Sequence, residues 1–137
     1  MAGRRAARRI AVDVLYQADV TDRAPTEVVR DWQGAGRDVP PFARELVAGV
    51  DAHLPSIDLV LERGAEDWSV GRMAALDRTI LRVGIEELLY RDDVPPSVAI
   101  SEAVEAAAEL SSEGSKRFVN GILGRIARDD AARKEGG

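Results

Sequence analysis

The chain has 137 residues, 45% of them hydrophobic, only 4% aromatic, and none of them cysteine. That length suits one domain burying roughly 70% of its unfolded surface, and the composition excludes disulfides, thiolate metal sites and cysteine nucleophiles. The net charge of −5 is segregated: residues 1–9 carry four arginines and no acid, residues 111–137 carry six bases and four acids, and the body between them carries nine bases against twenty acids. Basic ends on an acidic body fit local nucleic-acid binding with the acidic side left for another partner. No apolar run approaches the ~20 residues that span a bilayer. Asp13, Gln17 and Asp19 interrupt the segment that a secretory leader would keep apolar. The expected location is the cytoplasm, with no membrane contact.

Taken in chain order, helical periodicity alternates with short loops of Gly, Pro and Asp. The first helix is predicted from about Ala6 to Asp19, with Ala7, Ile10, Ala11, Val14 and Ala18 on one face. A second starts at Pro25, a good first-turn residue, and ends near Gln33. After a loop from Gly34 to Pro40, a third covers Pro41 to Leu54. Pro55 is expected to end it, and a further helix to run from Ser56 to Arg63. Gly64 to Arg72 lacks periodicity and joins two halves. The apolar residues of 73–91 surround most of a helix, as befits a central one. Pro95 and Pro96 stop the chain before a helix from Pro96 to Leu110, with Glu102, Glu105 and Glu109 outward. Ser115 is read as the cap of a last helix whose stripe is Phe118, Ile122 and Ile126. The expected class is all-α: two small three-helix bundles packed into one domain over residues 1–130, with a disordered charged tail at 131–137.

Few constellations carry chemistry. On the first helix, Arg5, Arg9, Val12 and Tyr16 project opposite Ile10 and Val14, with Arg4 and Arg8 flanking. Guanidiniums pair with phosphates, and a tyrosine ring stacks under an unpaired base. Lys116 and Arg117 open the last helix beside Phe118, where free N–H groups already favour anions. Each cluster alone reads more readily as a solvated helix end. His53 is the only histidine and has no second ligand for a metal. No glycine-rich phosphate loop is present, so neither catalysis nor a cofactor is expected. Asn120-Gly121 stands inside a helical stripe, which close helix contact or close approach of a ligand would explain.

The segments "LDRTILRVGIEELLYRDDVPPSVAI" at 76–100, "SEAVEAAAEL" at 101–110 and "SKRFVNGILGRIA" at 115–127 make the chain resemble the NusB family of transcription antitermination factors. The Arg-rich start leading to Leu15, Tyr16 and Gln17, and "ARELVAGV" at 43–50, support it. The resemblance runs from about Arg4 to Arg128 and implies two three-helix bundles with an extra helix. It implies a non-enzymatic protein that binds boxA RNA with NusE, which is also a small-subunit ribosomal protein. Together they act on RNA polymerase with other Nus factors, chiefly during ribosomal RNA synthesis. The implied RNA surface maps to Arg4, Arg5, Arg8, Arg9, Tyr16, Lys116, Arg117 and Phe118. The implied NusE side maps to Asp77, Arg78 and Glu86. A homodimer that hides the RNA surface is compatible with the family. Ser101, Ala108 and Gly114 depart from residues usual in it. The ribosomal RNA methyltransferases that share the domain need a cysteine, which this chain lacks, and a DNA-reading helix is disfavoured by the acidic 96–110 segment.

Overall fold

The computed structural model describes residues 3–66 and 68–136. Six α-helices, α1 (Arg4–Thr21), α2 (Pro25–Gly34), α3 (Pro41–Ala65), α4 (Ala75–Tyr90), α5 (Pro96–Leu110) and α6 (Glu113–Gly136), are joined by short loops, with one 3-10 turn at Val70–Arg72. Proline opens α2, α3 and α5, where its fixed φ and missing N–H cost nothing. The first three helices form one bundle and the last three another. α4 packs on α1 and α3 of the first and on α5 and α6 of the second. Its residues from Thr79 to Leu88 are therefore buried all round, save Arg82. The core is aliphatic, with Leu46, Ile57, Leu61, Ile80, Leu81, Ile85 and Leu123 among its most deeply buried side chains.

Three boundaries differ from the sequence expectation. Pro55 does not end a helix: α3 runs through it. Pro55 and Asp51, whose carbonyl loses its i+4 donor, are both exposed, so water can replace the missing bond. The last helix starts at Glu113, and its cap is Ser112, whose Oγ accepts the Ser115 N–H at 3.0 Å. Ser115 is one turn inside and donates to Asp77 Oδ2 at 3.1 Å. The chain also stays helical to Gly136, past the tail expected from residue 131. Asp130 anchors this last turn to Arg133 and Lys134. Gly137 lies outside the described residues.

Close packing explains glycines other than the one the sequence singled out. A Cβ on Gly84 would lie 2.9 Å from Leu123 Cδ1 and 3.3 Å from Ala103 Cβ, so α4 meets both α5 and α6 there. Gly121 faces open space, which removes close helix contact as its explanation.

Candidate nucleic-acid interface

α1 runs alongside α5 in the same direction, as its ion pairs record in order. Arg4 donates to Asp93, just before α5, at 2.5 Å; Arg5 meets Glu102 at 2.8 and 3.2 Å; Arg9 meets Glu109 at 3.1 Å. Against α4 it runs antiparallel, with Arg8 on Glu87 and Asp19 on Arg78. The four arginines at its start are thus matched by four carboxylates, and the local +4 of the sequence is largely neutralised in space.

Arg8 does not flank an outward face. It is 5% exposed and forks onto Glu87, itself 1% exposed, with Nη2 and Nε both at 2.7 Å from the carboxylate. A further 3.1 Å contact reaches Glu102. Burial works most strongly against its charge, but the Glu87 hydrogen bonds and the two carboxylates outweigh it and hold its pKa above the usual arginine value. Val12 is buried as well. α1 is wedged between α3 and α4, so its buried arc spreads past the Ala7–Val14 stripe to Arg8, Val12 and Leu15. The exposed residues of α1 are Arg4, Arg5, Ala6, Asp13, Tyr16, Gln17, Val20 and Thr21, with Arg9 half-covered. Arg4 lies 4.4 Å above the Phe42 ring, which Arg8 and Arg91 also approach, at 5.3 and 4.9 Å.

The far end of α1 meets the start of α4. Arg78 donates to Asp19 at 2.6 Å and to the carbonyls of Val70 and Met73, tying α1 and the 3-10 turn to α4. The Ser115–Asp77 bond ties α6 to the same place. Between them lies an open groove of about 400 Å³ whose lining includes Trp68, Arg72, Met73, Asp77, Ser115 and Phe118. Trp68 is 53% exposed and meets the half-buried Phe118 ring edge-on at 6.3 Å. Among the described residues no carboxylate lies within ion-pair distance of Lys116 or Arg117 at the α6 start, and Arg117 is exposed. Sequence reasoning missed Trp68 and Arg72. The available signal was a tryptophan in the one long stretch without helical periodicity, where no core face demands it.

The residues mapped to a NusE side occupy mixed environments. Glu86 is 3% exposed, and His53 Nδ1 sits 2.7 Å from its Oε1. The backbone at Gly49 is so near that a Cβ there would clash with the carboxylate. His53 in turn stacks on Tyr90 at 3.8 Å. Arg78 is consumed by Asp19 and two carbonyls, and Asp77 is half-buried. Glu86 and Arg78 therefore hold the fold from inside, and only Asp77 borders an open surface.

No cluster of metal-ligating side chains occurs among the described residues. None of the described helices is long and apolar enough to cross a membrane. Fold and surface together define a small two-bundle helical protein with arginines along α1 and an aromatic groove beside the starts of α4 and α6. The chain belongs to the NusB family, whose model matches residues 5–128. The transcription antitermination protein NusB of Saccharopolyspora erythraea is 49% identical over 93% of this chain and 88% of its own length. That of Salinispora arenicola is 45% identical over 93% of this chain and 96% of its own. Among solved structures, NusB of T. maritima has a TM-score of 0.83 at 34% identity, covering 93% of this chain and 92% of that one. A chain in the crystal structure of antitermination factors NusB and NusE in complex with dsRNA has a TM-score of 0.82 at 26% identity, covering 92% of this chain and 96% of that one.

Proposed function

We propose that this chain is a non-enzymatic transcription antitermination factor that binds boxA RNA together with NusE and supports processive ribosomal RNA transcription in the cytoplasm. Its contact with RNA polymerase is indirect, through NusE and the other Nus factors. The observation that carries this reading is that Lys116 and Arg117, without an ion-pair partner among the described residues, stand at the α6 start beside the Trp68–Phe118 pair, while Arg5 and Arg9 lie along α1. Together these residues supply cations for phosphates and rings for unstacked bases, as single-stranded RNA recognition requires. Tyr16 adds an exposed ring on α1, and Arg4 a further exposed cation. Arg8 supports this helix from beneath through Glu87 and Glu102 rather than by touching RNA. The acidic body is the complement for a basic ribosomal protein, with Asp77 at its edge. The crystal structure of a relative with NusE and dsRNA supports both partners.

Fluorescence anisotropy of a labelled boxA RNA oligomer, titrated with the protein with and without NusE at several salt concentrations, tests the proposal. Binding should tighten with NusE. Four to six phosphate contacts should give a slope of log K against log salt near −3 to −4, from about 0.7 per contact on single strands. Absence of RNA binding in both mixtures, with NusE still bound, would instead make the chain a protein-only adaptor.

A further inference from the structure

The ion pairs along α1 are not equivalent, and the inequality bears on how RNA reaches this face. Arg8 and Glu87 are sealed from solvent on both sides, with side chains 7% and 2% exposed. Arg5 and Glu102 are half open: the arginine is 64% exposed, while the glutamate is 11% exposed and also held by Arg8. In the third pair the asymmetry reverses. The Arg9 side chain is 17% exposed and Glu109 is 61% exposed. A single hydrogen bond of 3.1 Å joins them, and Arg9 Nε, shielded from water, has no partner. Packing therefore holds the Arg9 guanidinium in place, and Glu109 is the exposed member, tied by one hydrogen bond.

We infer that Glu109 is a built-in competitor for RNA phosphate at Arg9, occupying the guanidinium in the free protein and yielding it when RNA binds. The inference rests on the RNA-binding reading above. A phosphodiester presents the same anionic oxygens to Nη2 as the carboxylate does. The exchange is inexpensive on both sides. Glu109 is already largely hydrated, so its release gives up only one exposed pair. Arg9 stays positioned and needs no reordering to accept the phosphate. Exposed pairs of this kind are weak, so the competition lowers RNA affinity by a small factor rather than blocking it. It also alters the salt response. In the native protein the freed carboxylate regains a cation as the phosphate sheds one, so Arg9 contributes less than a full phosphate contact to the slope. With the acid neutralised it contributes fully.

The experiment compares native protein, Glu109→Gln and Glu105→Gln by anisotropy on single-stranded boxA RNA across a salt series, with thermal melts of all three. Glu105 is an exposed acid on the same helix, outside ion-pair distance of every arginine among the described residues. Its variant makes the same change in net charge. Expected are unchanged melting temperatures and RNA binding about two- to fivefold tighter for Glu109→Gln. Its salt slope should be steeper by up to ~0.7, with a clearly smaller gain for Glu105→Gln. Equal gains in the two variants would overturn the inference, since net charge alone would then explain them. Native RNA binding that Glu109→Gln leaves unchanged or weakens would overturn it too, while the RNA-binding reading stands. Failure of all three proteins to bind RNA would remove that reading and the inference with it.

Discussion

Replacing Arg8 by methionine tests whether this guanidinium is structural or a direct RNA contact. The substitution keeps an unbranched stem and removes the charge. Glu87, 1% exposed, then loses all of its side-chain hydrogen bonds, since Arg8 Nε and Nη2 supply every one. Glu102 loses one of its two arginines. Breaking a buried pair from one side costs about 3–5 kcal/mol, because the remaining charge has neither partner nor water. Unfolding entropy near 2.1 cal/mol/K per residue makes each kcal/mol worth about 3.5 °C at this length, so the melting temperature should fall by roughly 10–17 °C. Adding Glu87→Leu should restore most of the loss, because an apolar pair of similar volume is often neutral or stabilising at such a site. Urea and thermal denaturation of the native protein, both single variants and the double variant give the coupling energy directly. An Arg8→Met protein that melts within about 2 °C of native yet loses RNA binding would refute the reasoning, and would make Arg8 a direct contact.

Other outcomes follow from the same structure. Trp68→Ala should leave the melting temperature nearly unchanged, because the ring is half in solvent. It should weaken RNA binding by about 1–3 kcal/mol, the usual worth of one stacked base; an unchanged anisotropy titration would take Trp68 out of the interface. Phe118→Ala should cost both properties, with stability falling by about 1–2 kcal/mol rather than the ~3–5 of a fully buried ring, as urea titration would read. Gly121→Ala should stabilise by up to about 1 kcal/mol because it adds helix propensity in open space. Gly84→Ala should destabilise by about 1–2 kcal/mol as its methyl drives into Leu123 and Ala103; equal thermal shifts for the two glycines would contradict the close packing of α4. Hydrogen bonds from Arg91 and then Arg4 hold the Asp93 carboxyl down at about 2. A depressed acid supports the fold above its unfolded value, so this contribution is present above pH ~4 and is lost as pH falls towards about 2. Carboxyl NMR should find Asp93 still ionised at pH 3; a midpoint in the ordinary aspartate range would mean the Arg4–Asp93–Arg91 contact does not form in solution.

Much of this protein was legible before folding. Helical periodicity, proline at helix starts and the absence of alternation specified an all-α chain. The start of α2 and both ends of α5 fell where Pro25, Pro96 and Leu110 predicted, because those signals act within one turn. The 76–127 segments placed the chain in its family through residues whose order needs no coordinates. The basic and aromatic residues at the two ends were visible for the same reason: residue type and helical spacing are local facts.

Only tertiary structure decided which of those residues face water and what they touch. Arg8 and Arg9 are neighbours in sequence, yet one is sealed against Glu87 and the other held loosely by Glu109. The difference arises because α1 lies between α3 and α4, so that its buried arc covers two sides rather than one. Glu86 carries the same charge as Glu102 but lies under His53, inside the first bundle's contact with α4. Pro55 bends no rule that a sequence states; whether a missing backbone bond breaks a helix depends on water reaching the freed carbonyl. The carboxylates that neutralise the arginine patch stand roughly eighty to one hundred positions away in the chain. Local sequence determines helices and their residue types, but pairing across such separations depends on how the helices pack, and that packing sets the free charge this surface carries.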